Sequence, residues 1–155
     1  METSDVPRIP LQVSRNCVVA SIQIDLSEEV LQQFRTDLLE LLHTSGADGV
    51  ILDVSGVDVL DVEDFQALKA TTEMAALMGA RTILSGLRPG VVSALVELDA
   101  DIEGIEATLN LDEAFRAMEA IRPYGEQAEP AELNDRLEPD VDYNDEQDDP
   151  FADRF

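Results

Sequence analysis

Basic residues are scarce in this chain. Its 155 residues carry 10 Lys plus Arg against 34 Asp plus Glu, a formal net charge of −24, and Lys69 is the only lysine. Nucleic-acid phosphates are held by clustered Lys and Arg, so nucleic acid is excluded as a partner. An anionic membrane surface is disfavoured for the same reason. Cysteine is nearly absent too. Cys17 stands alone, so no internal disulfide can form. Within the apolar run Cys17-Val18-Val19-Ala20 it reads as a small buried hydrophobe before it reads as a nucleophile. The single histidine, His43, falls near a helix end, where a cation favours the dipole. There is no Gly-rich phosphate loop, no nucleophile elbow and no Cys/His metal set. The reading is of a protein that is not an enzyme and uses no cofactor or metal. The carboxylates Asp53, Asp58, Asp61 and Asp64 would attract a divalent cation only if they converged. No apolar run approaches the ~20 residues of a membrane span. Residues 1–7 show neither the basic nor the apolar part of a secretory signal, which points to the cytoplasm.

What the chain does have is 45% hydrophobic residues, enough for one domain with a core. Its centre runs from Gly49 to Gly86. Short apolar runs, Gly49 to Val54 and Arg81 to Ser85, flank a segment of helical length and spacing ending at Gly79. That is strand, helix, strand, a crossover that sets two parallel strands in one sheet. Asp61 is placed as the N-cap of the helix, with Glu63 and Asp64 in its first turn opposing the positive dipole end. The start of such a helix is ordinary capping on one reading. It is also where α/β domains put their sites. Phe65, Leu68, Thr72, Met74, Ala75 and Met78 are expected on its buried side, with Gly79 as C-cap.

Before this unit, Ile9 to Ser14 and Cys17 to Ile24 read as a hairpin turning at Arg15-Asn16, its second strand having one covered face. Ser27 caps a helix whose apolar face is Val30, Leu31, Phe34, Leu38, Leu41 and Leu42, ending near Thr44. After the unit, Pro89 opens a short helix to about Leu98. Ile102 to Thr108 holds a short last strand. Asn110 and Glu113 resemble a capping box for a final helix through Ile121. The fold class is α/β, a mixed four- to five-stranded sheet with about four helices packed on it.

The chain thus has three regions: a flexible start, 1–8; a domain, 9–122; and an acidic tail, 123–155. The tail has 12 acids and 2 arginines, with prolines at 130, 139 and 150. It buries too little apolar surface to offset its ordering entropy, so disorder is expected. A solvating tail is one reading. A binding or autoinhibitory arm is the other, kept open by Tyr143, Phe151 and Phe155.

Ile9-Pro10, the strand Asn16 to Gln23, Phe34, Asp37-Leu38-Leu39 and Thr44 to Ala47 come in a telling order. They are succeeded by Gly49 to Asp53, Val57 to Asp61, Leu77 to Arg81, Ser85 to Pro89 and Leu95 to Leu98. In that order they resemble the STAS domain of anti-sigma factor antagonists, most closely the RsbS-type antagonist of the stressosome. The resemblance spans about Ile9 to Ile121. It implies a STAS-like fold and a protein–protein role: assembly with RsbR-type paralogues into a cytoplasmic scaffold that holds a switch kinase of the RsbT type, as a homo- or hetero-oligomer. In such proteins the kinase phosphorylates a serine directly after the Asp that starts the central helix, and the added charge releases the kinase.

Here that Asp is Asp61 and the next residue is Val62, which has no hydroxyl. Glu63 and Asp64 add charge but not a phosphate's geometry. The switch is therefore lost, or moved to Ser55, Thr71, Thr72 or Ser85, each of which also reads as a locally bonded hydroxyl. The expected partner surface is Ser55, Asp58, Asp61, Val62, Glu63 and Asp64. The alternative is a STAS adaptor or ligand-binding module outside a sigma-factor circuit.

Overall fold

The computed structural model describes residues 6–120. The first five residues of the expected flexible start, and the expected acidic tail at 123–155, lie outside the described residues. Among the described residues the sheet and its helices form one compact unit through Met118, and the final helix runs two residues further, through Glu119 and Ala120.

The hairpin is β1 (Leu11–Ser14) and β2 (Cys17–Ser21), paired antiparallel. Arg15 and Asn16 both take positive φ, 53° and 62°, which suits the twist of a two-residue hairpin. The chain continues as α1 (Glu28–Ser45), β3 (Gly49–Asp53), α2 (Val62–Leu77), β4 (Arg81–Ser85), α3 (Pro89–Glu97), β5 (Ala107–Thr108) and α4 (Leu111–Ala120). Strand order in space equals strand order in sequence, β1-β2-β3-β4-β5, and β2 to β5 run parallel. This is the mixed sheet with four helices that the residue pattern implies.

The core has two parts, one on each sheet face. Val18, Ala20, Val50, Leu52 and Leu84 join Phe34 and Leu38 of α1, Phe65 and Leu68 of α2, and Val91 and Leu95 of α3. Cys17, Val19, Ile51 and Ile83 meet Ala114 and Met118 of α4 on the other. In β3, Val50, Ile51 and Leu52 are all 0% exposed, so this strand is covered on both sides and reads as an unbroken apolar run.

Several expectations need correction. The second strand stops at Ser21 rather than Ile24 and is covered on both faces, because α4 packs on the side expected to be open. On α2 the buried side is Phe65, Leu68, Thr71 and Ala75. Thr72 and Met74 are only half-buried, and Met78, at the C-cap just past Leu77, is exposed. There the N–H groups of Gly79 and Ala80 close on the carbonyls of Ala76 and Ala75, with Gly79 at φ 88° and Met78 itself at the cap position. At α4, Asn110 Oδ1 accepts from the Glu113 N–H, but the Glu113 side chain accepts from Leu109 rather than from Asn110.

Gly49 lies under Met118 of α4 and beside Cys17 of β2. A Cβ there would lie 2.9 Å from both Cys17 Sγ and Met118 Sδ. Gly49→Ala should therefore cost roughly 1–3 kcal/mol in urea unfolding. In a Cys17→Ala background the added methyl should cost at least about 0.5 kcal/mol less, and strict additivity would show that Cys17 is not what it meets.

Candidate functional site

The loop from β3 to α2 is built by its own side chains. Asp53 ends β3, and its Oδ1 accepts from the Ser55 N–H at 3.1 Å and the Ser55 hydroxyl at 2.7 Å. This is the local turn an Asp favours. Asp61 sits at the α2 N-cap in extended conformation, and its Oδ1 accepts from the Asp64 N–H at 2.8 Å. Val62 is the first helical residue and is half-buried, while Glu63 points to solvent.

The neighbouring loop holds this one in place. Arg88, at the start of α3, donates from Nε to the Ser55 carbonyl at 3.0 Å and from Nη1 to Asp58 Oδ1 at 2.6 Å. Gly86 packs against Ser55 at φ 83°, and a Cβ at position 86 would sit 2.9 Å from the Ser55 Cβ. Only glycine accepts both that conformation and that approach.

Beside the loop lies a cleft of about 480 Å³, lined on one side by Gln23 to Ser27 and on the other by Gly56 to Val59, Asp61 and Asp64. Val59 stands out from it, 82% exposed. Burial first, then the charges of Asp61 and Glu63, raises the Asp64 carboxyl above its ordinary value. Of the four carboxylates considered for a cation, Asp61 and Asp64 lie together, close enough for the Asp61 charge to raise the Asp64 carboxyl, while the others are turned to other partners. Asp53 serves Ser55, Asp58 serves Arg88 and Asp61 serves the Asp64 N–H. Among the described residues no three His, Cys, Asp or Glu side chains gather as metal ligands do.

The expected surface residues Ser55, Asp58, Asp61, Val62, Glu63 and Asp64 thus share one end of the sheet. Of the four alternative hydroxyls, Ser55 alone belongs to that exposed surface. Thr71 is 3% exposed and Ser85 1%, so neither is open to another protein. Thr72 is half-buried, with its hydroxyl donating to the Lys69 carbonyl at 2.7 Å. Sequence reasoning missed Arg88, Val59 and the cleft wall from Gln23 to Ser27. Nothing local in the sequence signals that Arg88 reaches back across 30 positions to Asp58.

A mixed sheet of this order with helices on both faces defines a class of α/β domain. The STAS domain family matches residues 8–114, and the chain belongs to it. Among curated proteins it is 25% identical over 105 residues to the RsbT co-antagonist proteins RsbRA and RsbRB of Bacillus subtilis. The match covers 68% of this chain and 38% of each of those proteins. Among solved structures, RsbS of Moorella thermoacetica aligns with a TM-score of 0.61 at 24% identity, over 73% of this chain and 98% of that one. An anti-sigma-factor antagonist domain protein from Planctomyces limnophilus aligns with a TM-score of 0.58 at 20% identity, over 72% and 98%. Both structures share the fold.

Asp61→Ala removes the α2 cap and should cost about 1 kcal/mol, read from the urea midpoint. Asp64 carries a pH signature. Its folded pKa lies above 3.8, so the folded chain keeps that proton to higher pH than the unfolded chain does. Its contribution is therefore lost as pH rises from 3.8 through the raised value. The stability of Asp64→Asn relative to the parent should grow across that window and level off above it. A difference independent of pH would remove Asp64 from the account.

Proposed function

We propose that this chain is a regulatory protein-binding module. In this reading it is an anti-sigma factor antagonist or stressosome scaffold subunit that docks a switch kinase of the RsbT type and assembles with RsbR-type paralogues in the cytoplasm. The docking surface is the β3–α2 loop and the start of α2. The observation that supports it is the make-up of that surface. Val59 is exposed and Val62 half-exposed, and Asp58, Asp61 and Glu63 flank them along the chain. An apolar centre with a charged rim is how protein interfaces are built, and this rim fits a partner with basic residues there. Capping by Asp61 and the Arg88 tether on Asp58 keep the surface ordered before a partner arrives.

The position that would take phosphate in RsbS-type proteins is Val62. It gives this chain a fixed state at that point, and Glu63 and Asp64 supply charge without a phosphate's density. A second reading, a ligand-binding or adaptor STAS domain, is favoured by the cleft beside the same loop.

The test is calorimetry of the full chain with a switch kinase and an RsbR-type paralogue from the same cells. Binding should occur, and Glu63→Arg should weaken the kinase by about 10–100-fold, roughly 1.4–2.7 kcal/mol. Val62→Ser should gain phosphate at residue 62 from that kinase. Binding of neither protein removes the docking reading and leaves the cleft as the place to look.

A further inference from the structure

The switch region lacks a hydroxyl at position 62, and the fold leaves one exposed hydroxyl among the four candidates to replace it. Thr71 and Ser85 are buried, and Thr72 is bonded within α2. Ser55 lies exposed on the loop itself. Three features surround it. Its hydroxyl is oriented by Asp53 at 2.7 Å. The Arg88 guanidinium already bonds its carbonyl. Its Cβ faces Gly86, two residues before Arg88, where α3 begins with no acid in its first turn and no side-chain cap. A phosphate on Ser55 would meet one cation and one uncapped helix start nearby, and would be repelled by Asp53 and Asp58.

We propose that Ser55 is a phosphoacceptor and that Arg88 receives its phosphate; this rests on the kinase-docking reading above. The Ser55 Oγ attacks the terminal phosphorus of a nucleoside triphosphate held by the kinase. A new O–P bond forms, the bond to the bridging oxygen breaks, and the nucleoside diphosphate leaves. The hydroxyl proton departs along the hydrogen bond to Asp53 Oδ1 and then to water. The loop then loses the hydrogen bond that the Ser55 hydroxyl donates to Asp53. Arg88 turns from Asp58, whose side chain is already 75% exposed, to the doubly charged phosphate. Both ties that order the docking surface change together, which is how a local charge event reaches a partner.

The experiment incubates the full chain with the switch kinase and a nucleoside triphosphate, and maps phosphate by mass spectrometry beside a binding measurement. The expected result is phosphate on Ser55, kept in Ser55→Thr and absent in Ser55→Ala, with kinase affinity at least ten-fold weaker once phosphorylated. Binding without phosphate on Ser55 overturns this proposal and leaves the docking reading standing. No binding removes the docking reading, and this proposal with it. A kinase-independent measurement places phosphoserine at position 55 during translation and tracks the Arg88 Nε–H resonance. It should shift as the phosphate takes its second charge, and Arg88→Met should raise the phosphate's second pKa. A resonance that ignores the phosphate overturns the role of Arg88.

Discussion

The handedness of the crossovers is the constraint on which this structure depends. Each parallel neighbour in the sheet is reached through a helix, and such connections are right-handed. Because β2, β3, β4 and β5 lie in sequence order, α1, α2 and α3 all fall on one face. The same constraint gathers the loops after β3 and β4 at one end of adjacent strands, where Asp53 and Ser85 are paired in register. Ser55 and Gly86 meet because their strands do. The site is thus a product of topology before it is a product of any one side chain.

The second face depends on α4. Without that helix Cys17, Val19, Ile51 and Ile83 would face water. Fully buried, Val19, Ile51 and Ile83 each contribute about 1.5–3 kcal/mol. Arg81 holds α4 down from the strand side: it pairs with Glu106 and donates to the Ala117 carbonyl at 3.1 Å. Cys17 therefore works as packing, against Gly49 and Met118, and its thiol lies away from the loop end.

Charge has two uses here. The large acidic excess favours solubility and repels nucleic acid and anionic lipid. Three of the ten cations make long-range ties: Lys69 to Asp101 across 32 positions, Arg81 to Glu106 across 25, Arg88 to Asp58 across 30. Such exposed pairs stabilise by only about 0–1 kcal/mol each. Their effect is positional, fixing which loop lies beside which. In the site this matters most, because Arg88 is the cation that joins two loops and leaves Asp58 and Ser55 in defined places.

Local signals carried much of this fold in the sequence. Apolar period, the caps at Ser27 and Asp61, Pro89 at a helix start and the turn at Arg15-Asn16 each act within a few residues, so they could be read one at a time. The acidic start of α2 was legible for the same reason, and so was the absence of a hydroxyl at Val62. What needed the tertiary structure were effects between distant segments. That β2 is covered on both faces depends on where α4 returns. That Thr71 rather than Thr72 is buried depends on the angle at which α2 meets α1 and the sheet, since both lie on the inward half of the helix. That Ser55 is open while Ser85 is sealed depends on where the strands lie: Ser85 is held within the sheet between Asp53 and Thr108, and Ser55 is in the loop beyond it. The sequence by itself determined which elements form and where they begin; only the packed fold decided which side chains face one another, because contact across 30 residues is set by topology and not by the local chain.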